Sequence, residues 1–195
     1  MAITTLTCPT GCEDLVLPNV EFDDCNPVNK LSQIIYAYVA LADAANFTAA
    51  DVVTEWDDRL SENATPPSGS GTEVVDLIRP LTVTGDIPAP TISERDISGG
   101  RKVTTKTERV VNLEIDEATA LNYEFARQTE CGYFKVKMWF ETAGGILLGG
   151  NTGITGKLVL NPIFARGTDE IEKYIGTFTW DSKASPDRCV SPIAH

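Results

Sequence analysis

Apolar and polar residues alternate along several segments of this chain, which is the period of a pleated strand. The alternation is most regular over 101–115, where Val103, Val111 and Ile115 share one side with charged residues opposite. Strands usually have about 5–6 residues, so this segment is unusually long. We therefore predict a strand that either runs past its own domain as a ribbon or pairs with a neighbouring subunit.

The segment 174–182 alternates in the same way and places Tyr174, Gly176, Phe178 and Trp180 on one face. Two neighbouring aromatic residues on that face are typical of a strand that closes a core. We predict that Phe178 or Trp180 anchors this strand, and that the polar residues after it face a neighbour.

Four further segments have strand patterns. We predict strands over 73–84 and 157–166, and one over 31–45, where apolar residues also fit helical spacing. Pro80 makes the first of these an edge strand or a bulge, because proline cannot donate to a ladder. In a fourth strand, over 133–141, alternate residues such as Met138 are expected inward, with Lys137 and Trp139 outward.

Two segments predict short helices. One covers 48–61, where Thr48 begins a sequence similar to a capping box and Trp56 lies on the apolar side. The other covers 117–128, with Asp116 as its N-cap. The Pro- and Gly-rich segments 62–72 and 85–100 predict loops, and GGNTG at 149–153 predicts a plain turn.

These elements predict a mainly β fold, an antiparallel β-sandwich or barrel with one or two short flanking α-helices and extended arms. We expect an N-terminal arm over 1–29, followed by a single β-rich domain over 30–195 with a C-terminal arm. At 195 residues the chain fits one such domain.

The composition excludes some functions. The chain has 28 acidic and 16 basic residues and a formal net charge of -12. A nucleic-acid-binding surface is normally basic, so this balance argues against such a role. The N-terminus does not resemble a signal peptide, and no apolar run is long enough to span a membrane. We expect no membrane association and folding in a cytoplasm.

Few residues suggest catalysis. The one histidine, His195, is the last residue, so a serine or cysteine nucleophile has no histidine base. Phosphate-binding glycine motifs are absent from the sequence. Acidic pairs such as Asp57-Asp58 are interpreted as solvated surface rather than catalytic acids. We expect no enzymatic activity and no cofactor.

The cysteines give the sharpest alternative. Cys8 and Cys12 form a C-x3-C pair, Cys25 follows 12 residues later, and Cys131 or Cys189 would complete four thiolates. Tetrahedral zinc sites begin with such spacing, but the second half of the motif is missing. Free thiols without a metal are the preferred reading.

The aromatic residues allow two interpretations. Trp139, Trp180 and Tyr174 would suit either a sugar-binding groove or contacts between subunits. We prefer subunit contacts. The residues predicted to make them are Arg101, Lys106, Trp139, Trp180, Lys183 and Arg188.

Four stretches carry a family resemblance. They are CPTGCEDLVLPNVEFDDCNP followed by QIIYAY, EWDDR with the later IRPLTVTGDIPAP, RKVTTKTERVVNLEID, and the closing FTWDSKASPDR. Through them the chain resembles structural proteins of tailed bacteriophage virions, most closely those of the tail-tube type, and is similar to those of phages of Bacteroidota. The patterns span most of the chain, and each is short.

The resemblance implies a β-sandwich or barrel whose copies form stacked rings, commonly hexamers, around a channel. It implies other virion proteins as partners, assembly in the host cytoplasm and localisation in the virion. DNA would pass through without specific binding, and an acidic lumen would repel its phosphates. A head–tail connector, terminator or capsid-associated protein is a close variant. A carbohydrate-binding β-sandwich module is the alternative from another class.

Overall fold

The computed structural model describes residues 30–60, 77–130, 135–164 and 171–193. The predicted N-terminal arm over 1–29 lies outside these ranges, as does the loop over 62–72. The elements are β1 (Ile34–Leu41), α1 (Val53–Leu60), β2 (Arg79–Asp86), β3 (Thr91–Ile97), β4 (Arg101–Ile115), α2 (Ala120–Glu130), β5 (Lys135–Thr142), β6 (Ile146–Leu148), β7 (Ile154–Ile163), β8 (Lys173–Asp181) and β9 (Arg188–Val190).

Six antiparallel strands close into a barrel. Their order is β1-β2-β4-β8-β7-β5, and β5 pairs with β1 to complete the ring. Outside the ring, β3 pairs with β4, β6 with β5, and β9 with β6. Strands make up 51% and helices 14% of the described residues. The predicted mainly β fold with short flanking helices is therefore confirmed, and its closed form is a barrel.

The barrel interior is filled by the inward residues of every strand in the ring. On β8 the predicted face is confirmed, because Tyr174, Phe178 and Trp180 all lie in this core. The other buried members are Ile34, Ala37, Val39, Val83, Val111, Leu113, Ile115, Ala126, Val136, Met138, Phe140, Ile154, Leu158 and Leu160. The prediction of alternating strands is thus realised as one continuous apolar core.

A second apolar cluster covers the outer surface of β1 and β5. Tyr38 and Trp139 point outward from the barrel, yet both are buried by the segment 42–60 together with β6 and β9. Trp56 of α1 is at the centre, stacked on Phe47 with ring centroids 4.5 Å apart and edge-on to Trp139 at 5.6 Å. Because this layer covers the barrel, neither face of β5 is open to solvent.

That second cluster corrects one prediction. Lys137 and Trp139 do point away from the barrel core, but the expectation that they reach the surface is wrong, since Trp139 is fully buried. The indole Nε1 of Trp139 donates to the carbonyl of Gly150 at 2.8 Å. Lys137 Nζ donates to the carbonyl of Ala44 and, at 3.0 Å, to Asn46 Oδ1. The covering segment supplies the acceptors that a buried ammonium group needs.

The segment before α1 is fixed by side chains of the helix itself. The Glu55 carboxylate accepts from the backbone N–H of Thr48 at 2.8 Å and of Ala49 at 3.1 Å. Arg59 donates to the carbonyl of Ala45 at 2.6 Å and lies over the ring of Phe47. These bonds replace backbone helix bonds over 48–52, so α1 is shorter than the predicted helix over 48–61.

Smaller corrections follow from local hydrogen bonds. The second helix begins at Ala120, and its N-cap is Thr119, whose Oγ1 accepts from the N–H of Asn122 at 3.1 Å. The prediction of Asp116 as the cap is therefore wrong. The segment 31–45 is a strand as preferred, bounded at Ile34–Leu41. Pro80 lies where β2 pairs with β1 but not with β4, so the prediction of a local edge is confirmed.

The long loop predicted over 85–100 is the largest error. Thr91–Ile97 forms β3, which pairs with β4 in antiparallel register. All seven residues of β3 are exposed, so it has no apolar face from which alternation could reveal a strand. The part of β4 that extends beyond its pairing with β8 supplies the backbone hydrogen-bond partners of β3 instead. The GGNTG turn at 149–153 is confirmed, with positive φ at Gly149, Gly150 and Gly153.

Candidate functional site

A two-stranded hairpin projects from the barrel and is the feature with the most open chemistry. It consists of β3 and residues 101–107 of β4, and we call it the hairpin arm. β8 pairs with β4 only from Glu108 to Ile115, so the arm begins where the barrel pairing ends. Residues 91–106 are all exposed, and outside the turn the two strands of the arm pair with each other. The prediction that this strand runs past its domain is confirmed.

Both outer edges of the hairpin arm lack a strand partner among the described residues. Ladder N–H and C=O groups on such edges can pair with a strand from another chain. The tip is a tight turn at Ser98–Gly100, where Gly99 and Gly100 have φ of 82° and 71°. Those values favour glycine and let the two strands return on each other.

The base of the arm is fixed to the end of β8. The Asp181 carboxylate accepts from the backbone N–H of Thr107 at 3.1 Å, and Ser182 N–H donates to the carbonyl of Thr107 at 3.0 Å. Arg109 donates to the carbonyls of Ser182 and Lys183 at 2.9 and 3.2 Å. The arm therefore leaves the barrel in a defined direction rather than as a free chain.

The two faces of the arm have different chemistry. Directly paired residues of an antiparallel ladder share a face. The register shift between Ser93 and Glu94 leaves Thr105 of β4 without a ladder partner, so the side on which β4 residues lie changes at this bulge. On the side that continues the barrel interior, Ile92 lies opposite Thr107, Glu94 opposite Thr104, and Asp96 opposite Lys102. We call the side chains of Ile92, Glu94, Asp96, Lys102 and Thr104 the inner arm face. On the other side Arg95 lies opposite Val103 and Ile97 opposite Arg101, and we call these four side chains with Lys106 the outer arm face. The outer arm face combines two exposed apolar side chains, Ile97 and Val103, with two guanidinium groups.

Each side of the arm holds one ion pair, on the inner face within the arm and on the outer face at its base. Glu94 and Lys102 form an ion pair at 3.6 Å, and Lys106 pairs with Glu108. The hydrogen bond and charge of Glu108 raise the pKa of Lys106 above its ordinary value. Each face of the arm thus has one lysine paired with a glutamate of the same chain.

The arm is basic although the chain is acidic. Residues 91–107 contain four basic residues, Arg95, Arg101, Lys102 and Lys106, and two acidic residues, Glu94 and Asp96. Their net charge is +2. Because the whole chain has a formal net charge of -12, the remaining residues sum to -14. Opposite charge on two parts of one molecule favours contact between copies.

The predicted subunit-contact residues divide into two groups. Arg101 and Lys106 are exposed on the hairpin arm, and Lys183 and Arg188 are exposed after β8 and on β9. For these four the role of subunit contact stays a prediction. For Trp139 and Trp180 the prediction is wrong, because both are buried within their own chain, 0% and 8% exposed.

The same burial removes the aromatic basis for a sugar-binding groove. Tyr174 and Trp180 lie in the barrel core, and Trp139 lies in the second apolar cluster. A sugar stacks on an exposed ring face, and none of these three rings offers one.

Of the cysteines, only Cys189 lies in the described part of the chain. It lies on β9 and is buried within the second apolar cluster, and burial raises the pKa of its thiol. Metal binding requires the thiolate, so this site disfavours a ligand role for Cys189. Among the described residues no group of three or more His, Cys, Asp or Glu side chains could hold a metal ion. Cys8, Cys12, Cys25 and Cys131 lie outside those residues, as does His195.

A groove of about 840 Å³ opens beside the ends of β2, β4 and β6. Its lining mixes apolar side chains such as Leu113 and Leu148 with Asp86, Glu114 and Arg188. Glu114 is paired with Lys173 at 2.9 Å. The groove brings together neither a nucleophile with a base nor a set of metal ligands.

Comparisons of the chain with models of protein families, with curated proteins and with solved structures find no match. Neither of the helices within the described ranges has the length and apolar character to cross a membrane.

Proposed function

We propose that this protein is a structural component of a tailed bacteriophage virion, a tail-tube subunit that assembles with copies of itself into stacked rings around a DNA channel. The observation that carries the proposal is the hairpin arm. A rigid barrel that projects a fixed, two-edged ribbon has the parts needed for repeated contact between identical subunits.

The resemblance of the sequence to tail-tube proteins supplies the specific role. It adds the hexameric ring, the virion as location and other virion proteins as partners. The net charge of -12 agrees with a channel through which DNA passes without being bound, because acidic walls repel phosphates. No catalytic step is part of the proposal.

Electron microscopy and sedimentation velocity of the purified full-length chain test this function. We expect rings or open tubes whose proportion rises with protein concentration. A chain that stays strictly monomeric at high concentration would contradict the proposal. Single rings that never stack would favour a connector, terminator or capsid-associated protein, for which the hairpin arm is equally suited.

DNA provides a second readout on the same particles. An acidic channel that only conducts the genome predicts no binding of duplex DNA at physiological salt. Saturable binding by assembled rings would contradict the role of a passive channel. The Lys102→Glu and Lys106→Glu variant, which makes the arm acidic, controls for adventitious binding to the basic arm.

A further inference from the structure

We propose that the groove beside the ends of β2, β4 and β6 is covered by the N-terminal segment of the same chain, with Val16, Val20 and Phe22 directed into it. The proposal concerns the single subunit and does not depend on self-assembly. The volume of the groove, about 840 Å³, is within the range of sites that enclose a small-molecule ligand. The groove therefore has room for several side chains of an extended segment.

Apolar side chains on the wall of the groove are incompletely covered by the described part of the chain. Leu31 is 69% exposed, and Ile175 of β8 is 41% exposed. Ile87, Ile146 and Leu148 line the same groove and are half-buried. Removing such surface from water is favourable, so this wall is suited to receive apolar side chains.

The charges left open at the groove are positive. Glu114 pairs with Lys173 at 2.9 Å, and Asp86 accepts a hydrogen bond from a side chain of β4. Lys30 and Arg188 also line the groove, and neither forms an ion pair within the described residues. An occupant that combines apolar side chains with carboxylates therefore matches the groove.

Residues 1–29 have that composition. They contain five carboxylate side chains and no lysine or arginine. From Val16 to Phe22 apolar residues recur at every second position, with Glu21 on the other side, which is the period of an extended strand. Pro18 suits a segment added at an outer edge, because proline cannot donate to a ladder on both sides.

The N-terminal segment joins the described chain at the groove itself. Residues 30–33 form part of the groove wall and are held against the turn after β5. The N–H groups of Gly144 and Ala143 donate to the carbonyls of Leu31 and Gln33 at 3.1 and 2.9 Å. A Cβ at Gly144 would approach the Leu31 oxygen to 2.7 Å, so the close contact requires glycine. The segment therefore starts from a defined point beside the groove.

The connection is short enough to favour occupancy by the same chain. Phe22 precedes Lys30 by eight positions, which span at most about 28 Å when fully extended. Asn26-Pro27 lies between them and is a turn signal, which allows the segment to fold back toward the groove. A short connection gives a millimolar effective concentration, so the segment of a neighbouring copy competes poorly in dilute solution.

Hydrogen exchange of the full-length chain in dilute solution tests the proposal. The amides of residues 15–22 should exchange at least about tenfold more slowly than those of an unstructured peptide. Leu31→Asp should abolish most of this protection, because a carboxylate on the groove wall repels the acidic segment. Leu121→Asp makes the same change on α2, at a leucine that is 78% exposed, and should leave the protection unchanged.

A second pair of variants changes a groove residue that is remote from the segment in sequence. Arg188→Glu on β9 should lower the protection of residues 15–22 by about threefold or more, since it replaces attraction by repulsion. Lys183→Glu makes the same charge change at an exposed residue outside the groove and should have no effect. Circular dichroism checks that all four variants are folded.

Photo-cross-linking shows where the segment lies and which chain supplies it. A benzophenone side chain in place of Phe22 should attach to peptides that contain Ile146, Leu148 or Ile175. In a mixture of isotopically labelled and unlabelled chains, each cross-link should join peptides with the same label. Cross-links between differently labelled chains would overturn occupancy by the same chain. Unprotected amides at 15–22 would leave the groove open to another molecule and overturn the proposal altogether, whether or not the chain assembles.

Discussion

The two halves of β4 have similar alternation but opposite surroundings. From Thr107 to Ile115 four inward residues, Thr107, Val111, Leu113 and Ile115, are buried in the barrel, where β4 pairs with β8 and β2. From Arg101 to Lys106 every residue is exposed, and β3 is the one described partner. The comparison shows that alternation specifies a strand but not what the strand packs against. In the first half the apolar face forms a core, and in the second the apolar residue Val103 is exposed.

The halves should also differ in how much they stabilise the fold. Burial of apolar side chains is the main source of stability in the barrel half. The arm is held by backbone pairing and by surface ion pairs, which contribute little individually. Stability measurements on matched substitutions can therefore separate the two halves.

The largest contrast is expected at two glycines. Gly176 of β8 lies opposite Leu113 in the barrel half, and a Cβ there would meet the carbonyl oxygen of Val159 at 2.0 Å. We expect Gly176→Ala to lower the free energy of unfolding by more than about 3 kcal/mol, because backbone must move. At the arm tip Gly100 has open space but positive φ, so Gly100→Ala should cost about 1 kcal/mol.

Urea unfolding of both alanine variants measures this contrast. A loss at Gly100 as large as that at Gly176 would show that the arm is integral to the stability of the barrel. It would then be wrong to treat the two halves of β4 as separate in energy.

Two valines make a chemically identical pair on the same strand. Val111 is fully buried, whereas Val103 is 46% exposed. Val111→Ala should cost about 2 kcal/mol through lost burial and a residual cavity. Val103→Ala should change the free energy of unfolding of the monomer by no more than about 0.5 kcal/mol. Thermal and urea unfolding at low protein concentration test this. Equal losses of stability in the two variants would contradict the division of β4 into a buried half and an exposed half.

The sequence predicted the barrel half well because its signals are local. The boundaries of the strand Arg101–Ile115 agree with the prediction, and the inward face of β8 holds Tyr174, Phe178 and Trp180 as expected. Each of these strands has one buried face within a few residues of chain. Alternation is sufficient under that condition.

The candidate site was only partly predictable. Arg101 and Lys106 were identified, but β3 was missed, since all its residues are exposed and pairing alone defines it. The Gly99-Gly100 pair beside a long strand was an available hairpin signal. Trp139 was misplaced for the opposite reason: the residues that cover it, Phe47 and Trp56, are 92 and 83 positions away in sequence. Such long-range cover leaves no local pattern.

A buried tyrosine provides a smaller effect, specific to the covered side of the barrel. Tyr38 donates its hydroxyl to Glu141 at 2.7 Å. Burial, with the nearby Glu141 carboxylate, raises the pKa of Tyr38. A tyrosine in the unfolded chain loses its proton near pH 10, whereas Tyr38 in the folded protein still holds its proton at that pH. The contribution of Tyr38 to the free energy of unfolding should therefore be fully present below that pH and decrease as the pH rises further.

Tyr38→Phe tests this assignment by urea unfolding between pH 7 and 11. At neutral pH we expect a loss of about 1–2 kcal/mol from the missing hydrogen bond to the Glu141 carboxylate. Above pH 10 the decline should become shallower but persist in part, because burial raises the pKa of Tyr174 as well. Tyr123→Phe, on the exposed side of α2, is the control. An unchanged alkaline slope in Tyr38→Phe would contradict the role given to this tyrosine.

The smallest effect belongs to the ion pair on the inner arm face. Glu94 and Lys102 lie 3.6 Å apart, with side chains 48% and 67% exposed, so solvent and salt screen their attraction. A double-mutant cycle of Glu94→Ala and Lys102→Ala should give a coupling of about 0.5 kcal/mol or less in the separated chain. Its decrease with added salt would agree with a pair in water. A coupling above about 1 kcal/mol that persists in high salt would mean that another surface shields the pair. In that case the inner arm face would be a contact surface.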